Sequence, residues 1–282
     1  MSAEHAEPSP AMEPASTIEA VRRLYRRIAT LPGLGPGPRT DAAFTELVRL
    51  ATTQAPVGTE RQVLADPEIR ALAPHLQRLC CEAEIELERS WAARIVASRD
   101  PGQELRDFPY YDNYRRLTRL EHHTVAGLTI IRPRRVAFVG SGPLPLTSML
   151  LAERHWVQVD NIDVDPDATR RALALTAALK VPRLRFHTAD VLDHVDFDDY
   201  DVVWLAALVG LDGQYKRRVL AHLFEHLRPG ALLLARSAHS LRTLLYPPLP
   251  VDDLGGFQPL VVLHPYTDIV NSVVIAQKPG PV

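Results

Sequence analysis

Val136-Ala137-Phe138-Val139-Gly140-Ser141-Gly142 is the stretch on which the fold turns. A short apolar run closed by turn residues reads as a buried strand. The glycines then let the backbone turn sharply and approach a ligand closely. The run is not a full G-x-G-x-x-G, because Pro145 stands at the third glycine position. Downstream, strand and helix signals alternate: a helix at 146–153, strands at 157–162, 184–187, 201–205 and 231–235, and helices at 167–179 and 214–226. That alternation predicts a parallel, doubly wound sheet. Residues 260–263 and 272–276 break it, with two apolar strands and no long helix between them, so an antiparallel closure is expected.

Upstream of Arg134 the period is helical. Apolar residues recur at helix spacing from Ile18 to Ile28, from Phe44 to Ala51 and from Leu72 to Ile95. Asp66-Pro67 reads as a helix start, Pro74 as a split or kink, Gly102 as a stop and Asp112 as the cap of a further helix. Residues 1–16, acidic and Pro-rich, read as a disordered tail that lacks the apolar core of a signal peptide.

The 282 residues carry 32 basic and 34 acidic side chains, so no basic excess is available for a nucleic-acid backbone. Only three of the basic residues are Lys, which reads as a codon signature. Cys80 and Cys81 are adjacent, too few for a Cys-rich zinc site and unsuited to a standard disulfide. No apolar run approaches the ~20 residues of a membrane span. A cytoplasmic location, with neither nucleic-acid nor membrane partner, is the expectation.

The chemistry-bearing residues follow the strands. Gly140, Ser141, Gly142 and Pro143 close the first. Asp163 follows the second at the offset where an acid meets ribose hydroxyls, with Asp165 the competitor and better suited to a helix cap. Asp190 and Val191 follow the third, placed for an adenine amino group and ring, and Ala206 after the fourth completes the set. The antiparallel-looking terminal pair favours the seven-stranded S-adenosylmethionine (SAM) fold over its NAD counterpart. A nucleophile beside the amino-acid arm of SAM attacks the γ-carbon rather than the methyl group, moving a 3-amino-3-carboxypropyl (aminobutyrate) group and releasing methylthioadenosine. Glu82 and Glu84 border the buried stripe of their helix and are candidate proton acceptors, whereas Glu88 is expected to face away. Tyr110, Tyr111 and Tyr114 fall within five residues, beside a Pro turn. His222-Leu223-Phe224-Glu225-His226 matches an H-x-x-E-H zinc string, but it sits on a helix away from the ligand edge with no third ligand in view. A Ser–His hydrolase lacks its G-x-S-x-G elbow.

Several strings together resemble the nicotianamine synthases of plants, fungi and archaea: FPYYDNYRRLTRLE (108–121), VAFVGSGPLPLTSMLLA (136–152), NIDVDPDA (161–168), DVVWLAALVG (201–210), RPGALLLARSAHS (228–240) and HPYTDIVNSVVIAQK (264–278). Leu79–Glu84 also resembles the family's LCGEAE, with Cys81 replacing Gly. The resemblance implies an α/β fold of Rossmann-like, class I methyltransferase type, over 128–282, capped by an all-helical N-terminal domain over 17–127. It implies SAM as substrate, no metal on the enzyme, and a metallophore product, nicotianamine or a relative. A family glutamate would match Glu82 or Glu84, and a family tyrosine Tyr110 or Tyr111. The partner expected is an amino acid or a nicotianamine intermediate, with a homodimer as an option for assembly. Alternatives carried forward are a single aminobutyrate transfer to histidine or another amino acid, as in opine-metallophore enzymes, a small-molecule methyltransferase, and a non-catalytic SAM sensor. His122-His123 and residues 22–39 depart from the plant pattern and bear on the acceptor.

Overall fold

The computed structural model describes residues 13–129, 132–194 and 196–280. Six helices come first: α1 Pro14–Ala29, α2 Pro38–Thr52, α3 Thr59–Ala65, α4 Pro67–Ala97, α5 Pro101–Arg106 and α6 Tyr111–Leu128. The sheet region follows: β1 Arg135–Val139, α7 Leu146–Arg154, β2 Gln158–Asp163, α8 Pro166–Ala178, β3 Leu184–Thr188, β4 Val202–Leu205, α9 Gly213–His226, β5 Leu232–Ser237, β6 Gln258–Leu263 and β7 Ser272–Gln277. Strand order is β3-β2-β1-β4-β5-β7-β6, with β7 antiparallel to both neighbours and the other pairings parallel. The antiparallel closure is as expected from the C-terminal pattern.

The helical boundaries differ from the sequence reading in instructive ways. Pro14, Ala15 and Ser16, expected in the tail, form the first turn of α1. Pro14 needs no N–H there, and the hydroxyls of Ser16 and Thr17 bond the Glu13 carbonyl. The rest of the expected tail, residues 1–12, lies outside the described residues. Helix α4 runs unbroken through Pro74. One missing hydrogen bond is tolerated because Leu72 and Leu76, on either side, are buried. Gly102 does not end the region; Asp100 accepts from the Gln103 N–H at 2.9 Å and starts α5.

Alternation along the strands divides the core between two faces. Ala137, Val139, Val203, Leu205, Leu233 and Ala235 pack against α9. Val136, Phe138, Val202, Trp204, Leu232 and Leu234 pack toward α6 and α7. A separate apolar cluster joins α1, α2, α3 and the first half of α4, and Leu241, Leu244, Leu245 and Val270 enter it from the sheet side of the chain. Helix α4 therefore lies between the helical layer and the sheet. Arg89 ties it to α8, pairing with Asp165 at 2.9 Å and Asp167 at 3.6 Å. Among the described residues no helix is long and apolar enough to cross a membrane.

Candidate active site

The register sets the site. Val139 aligns with Ile162 and Leu205, and Leu205 with Ala235, so Gly140, Asp163, Ala206 and Arg236 emerge together at the carboxyl edge. Strand order reverses between β1 and β4, the switch point at which open α/β sheets bind ligands. Gly140 and Gly142 adopt φ of +79° and +67°, a region that disfavours side chains. The Gly142 N–H donates to Asp163 Oδ2 at 2.8 Å and the Asp165 N–H to Oδ1 at 3.0 Å, which fixes the carboxylate at the edge. Above this turn lies a cavity of about 370 Å³. Gly140, Ser141, Gly142, Pro143, Asp163, Val191 and Ala206 all line it, as does Cys81 from α4.

A Cβ on Gly140 would lie 2.4 Å from Val209 Cγ2 and 3.3 Å from Ala206 Cβ. Gly140→Ala is therefore expected to cost about 1–3 kcal/mol and to weaken nucleoside binding by displacing the 206–209 loop. Urea melts and SAM titration of the purified variant check this; wild-type values for both would contradict the geometry.

Asp190 stands behind the cavity wall. It caps the short 3₁₀ turn at 191–193 through the Leu192 N–H and accepts from the Tyr215 hydroxyl at 2.7 Å. Tyr215, not Asp190, reaches the cavity. Asp165 caps α8 and pairs with Arg89, the structural role favoured for it from sequence.

A second cavity, of about 260 Å³, opens between α2, α4 and α6. Glu84, Glu88, Tyr114, Tyr246 and Asn271 line both chambers. Tyr246 donates to Glu84 Oε2 at 2.7 Å, and the Tyr114 hydroxyl lies 3.3 Å from Glu84 Oε1 and 3.2 Å from Glu88 Oε1. Burial raises the Glu84 pKa, while the two tyrosine hydrogen bonds and the Arg236 charge act the other way.

The other candidates fall elsewhere. Glu82 is exposed and lines neither cavity, because two residues along a helix turn the side chain by about 200° from Glu84. Tyr110 lines the second cavity; Tyr111 lines neither and packs with the cluster around Trp91 and Phe108. Glu88, expected to face away, is buried. Cys81, Glu84, Ile85 and Glu88 line one cavity at i, i+3, i+4 and i+7 of α4, so a face that reads as solvated is the wall of a chamber. Tyr246 carried no local signal, since it follows a 3₁₀ turn outside every motif. His222 and His226 meet the carbonyls of His194 and His222 at 2.7 and 2.9 Å.

Arg236, from the end of β5, completes the wall. Its Nε and Nη2 donate to the two oxygens of Glu121 at 2.7 and 2.9 Å, and Nη2 also donates to Thr147 Oγ1 at 2.7 Å. The pair is buried, at 7% and 0% side-chain exposure, and joins α6 to the sheet. It supports Tyr114, whose ring centroid lies 5.8 Å from the guanidinium carbon.

A family model described as nicotianamine synthase protein matches residues 11–282. The chain belongs to the nicotianamine synthase family. Nicotianamine synthase of Solanum lycopersicum is 42% identical over 266 residues, covering 93% of this chain and 83% of that protein. Probable nicotianamine synthase 3 of Hordeum vulgare is 44% identical over 272 residues, covering 94% and 80%. A glutamate-to-glutamine mutant of MtNAS in complex with S-adenosylmethionine superposes with a TM-score of 0.82 at 23% identity, covering 93% of this chain and 98% of that one. MtNAS in complex with MTA and tNA gives a TM-score of 0.79 at 24% identity, covering 92% and 97%. The fold is thus the α/β, class I methyltransferase type with a helical N-terminal part, shared by nicotianamine synthases.

Proposed function

We propose that this protein transfers aminobutyrate groups from SAM to an amine, releases methylthioadenosine and makes nicotianamine. One observation carries the proposal: a nucleoside-sized cavity over the Gly140–Gly142 turn meets a second, acid-lined chamber at Glu84, Tyr114 and Tyr246. A methyl transferase needs one donor cavity and an acceptor beside the methyl group. Two chambers joined at a carboxylate instead suit an amine that approaches the amino-acid arm. Family membership supports the same conclusion.

SAM lies over Gly140–Gly142, with its ribose at Asp163 and its adenine against Val191, Ala206 and Tyr215. The acceptor ammonium enters the second chamber and gives one proton to Glu84, which Tyr246 and Tyr114 hold in place. The freed lone pair attacks the γ-carbon of the SAM arm as the carbon–sulfur bond breaks. The electron pair returns to sulfur, so methylthioadenosine leaves neutral, and the new secondary ammonium sheds its second proton to solvent. The sulfonium is already the electrophile, so the chain supplies orientation and a base. The helical layer acts as the cap that closes the acceptor chamber.

Incubation with SAM alone, followed by mass spectrometry, should yield methylthioadenosine and nicotianamine. Product formation only when histidine or another amino acid is added would instead identify a single-transfer enzyme. S-adenosylhomocysteine as the sole nucleoside product would overturn aminobutyrate transfer in favour of methylation.

A further inference from the structure

Lys216 is a buried cation outside both chambers. It sits in the first turn of α9 at 5% exposure. Its Nζ donates to the Ala207 carbonyl at 3.2 Å. Among the described residues that is the one hydrogen bond tying 207–210 to another element; the turn bond from the Val209 N–H to the Ala206 carbonyl, at 3.2 Å, is internal to the loop. Gly210 closes the loop against the same lysine: at φ +68°, a Cβ there would lie 2.9 Å from Lys216 Cα and Cβ. Residues 206–210 all line the donor cavity, so Lys216 grips the back of a wall whose front meets the nucleoside. Among the described residues no carboxylate pairs with it. Asp212, Arg217 and Arg218, beside it on α9, are exposed, and Arg217 pairs with Asp253. Helix α9 also packs on the 3₁₀ turn at 191–193, where Asp190 is bonded to Tyr215 and Asp193 is exposed. A buried ammonium without an anion costs stability. The contact that offsets this cost is the one to the loop.

We propose that Lys216 is a positioning residue for the donor: its ammonium, set behind the β4–α9 loop, holds the Ala207 carbonyl and keeps 206–210 folded as the wall of the nucleoside cavity. This rests on SAM binding over the Gly140–Gly142 turn. Burial lowers the lysine pKa to about 8, against an ordinary ~10.4. A neutral amine is the weaker donor to a carbonyl, so the wall loosens and nucleoside affinity falls as pH rises through about 8. Stability moves the other way. The unfolded chain keeps this proton up to ~10.4, so above about pH 8 it binds more protons than the folded chain, and stability rises with pH. A lysine with only a structural role would not set binding against stability.

Methylthioadenosine titrations of the full chain between about pH 7 and 10, with urea melts in the same buffers, test this. That ligand carries the nucleoside, lacks the amino-acid arm and has no group that titrates in this range. Wild type should lose about fivefold in affinity across it. Lys216→Met removes the ammonium and fills much the same space. At about pH 7 it should bind roughly 10-fold more weakly than wild type, yet melt at an equal or higher urea concentration. Its affinity should be flat in pH, and any stability advantage should shrink toward pH ~10 as the wild-type lysine loses its charge. Wild-type affinity in the variant, a pH limb that survives in it, or a destabilised variant whose binding falls in step with its folding overturns the assignment. Failure of the wild type itself to bind methylthioadenosine overturns the donor reading, and this assignment with it.

Discussion

Glu84→Gln should reduce methylthioadenosine release by roughly 10²–10⁴-fold, the usual worth of a positioned general base. Glutamine keeps the shape: its Oε1 can accept from one of Tyr246 and Tyr114 and its Nε2 can donate to the hydroxyl oxygen of the other, so the chamber should stay intact and SAM affinity should remain close to wild type. The loss therefore belongs to the proton transfer. The pH profile separates this from a packing defect. In wild type the rate rises with pH as Glu84 ionises, and burial lifts that limb above the ordinary carboxylate range near ~4.3. The variant has no carboxyl to titrate there and should lose the limb. Single-turnover assays across the acid range check both points. A variant within a few-fold of wild type, with the limb unchanged, would assign the base elsewhere.

Arg236→Met should destabilise the fold by about 3–5 kcal/mol, because it strands the Glu121 carboxylate at 0% exposure with no counter-charge. Trp204 Nε1, at 3.4 Å from Glu121 Oε2, is too weak a donor to compensate. Glu121→Leu should cost a similar amount, for the opposite reason: the guanidinium is then buried without its anion. Arg236→Met combined with Glu121→Leu should recover most of the loss, since an apolar pair removes both desolvation penalties. Urea melts of the three variants measure the coupling. Additive losses in the double variant would show that the two residues act independently, contrary to their shared hydrogen bonds.

Much of the sheet was legible because its signals are local. The run Val136–Gly142 has the period of a strand and the turn chemistry of a ligand edge, and the cofactor candidates follow from strand ends. Where a boundary slipped, a side chain or a neighbour compensated for a local rule. Pro14 begins a helix instead of extending a tail, and Pro74 sits inside α4 because Leu72 and Leu76 are buried around it. The terminal strands were visible as apolar runs, but the insertion of β7 between β5 and β6 is a long-range pairing that no local window contains.

The chamber was less legible. Periodicity assigns each helix one apolar stripe and leaves the rest to water. Helix α4 violates that assumption, because the helical layer, the sheet edge and two cavities surround it. Glu84 could be singled out as a borderline residue, whereas Glu88 could not.

By itself, then, the sequence determined the α/β sheet, the glycine turn, the acid after β2, the helical N-terminal part and the family, since each is written in contiguous residues or strings. Only the tertiary structure decided that Glu84 rather than Glu82 enters the chambers, that Tyr114 and Tyr246 bind it, that Asp190 stands behind Tyr215, and that Arg236 is spent on Glu121. Those outcomes depend on which helix face meets which strand end, over separations of up to 162 residues between Tyr246 and Glu84. At that distance along the chain, side-chain identity carries no information about contact until packing brings the groups together.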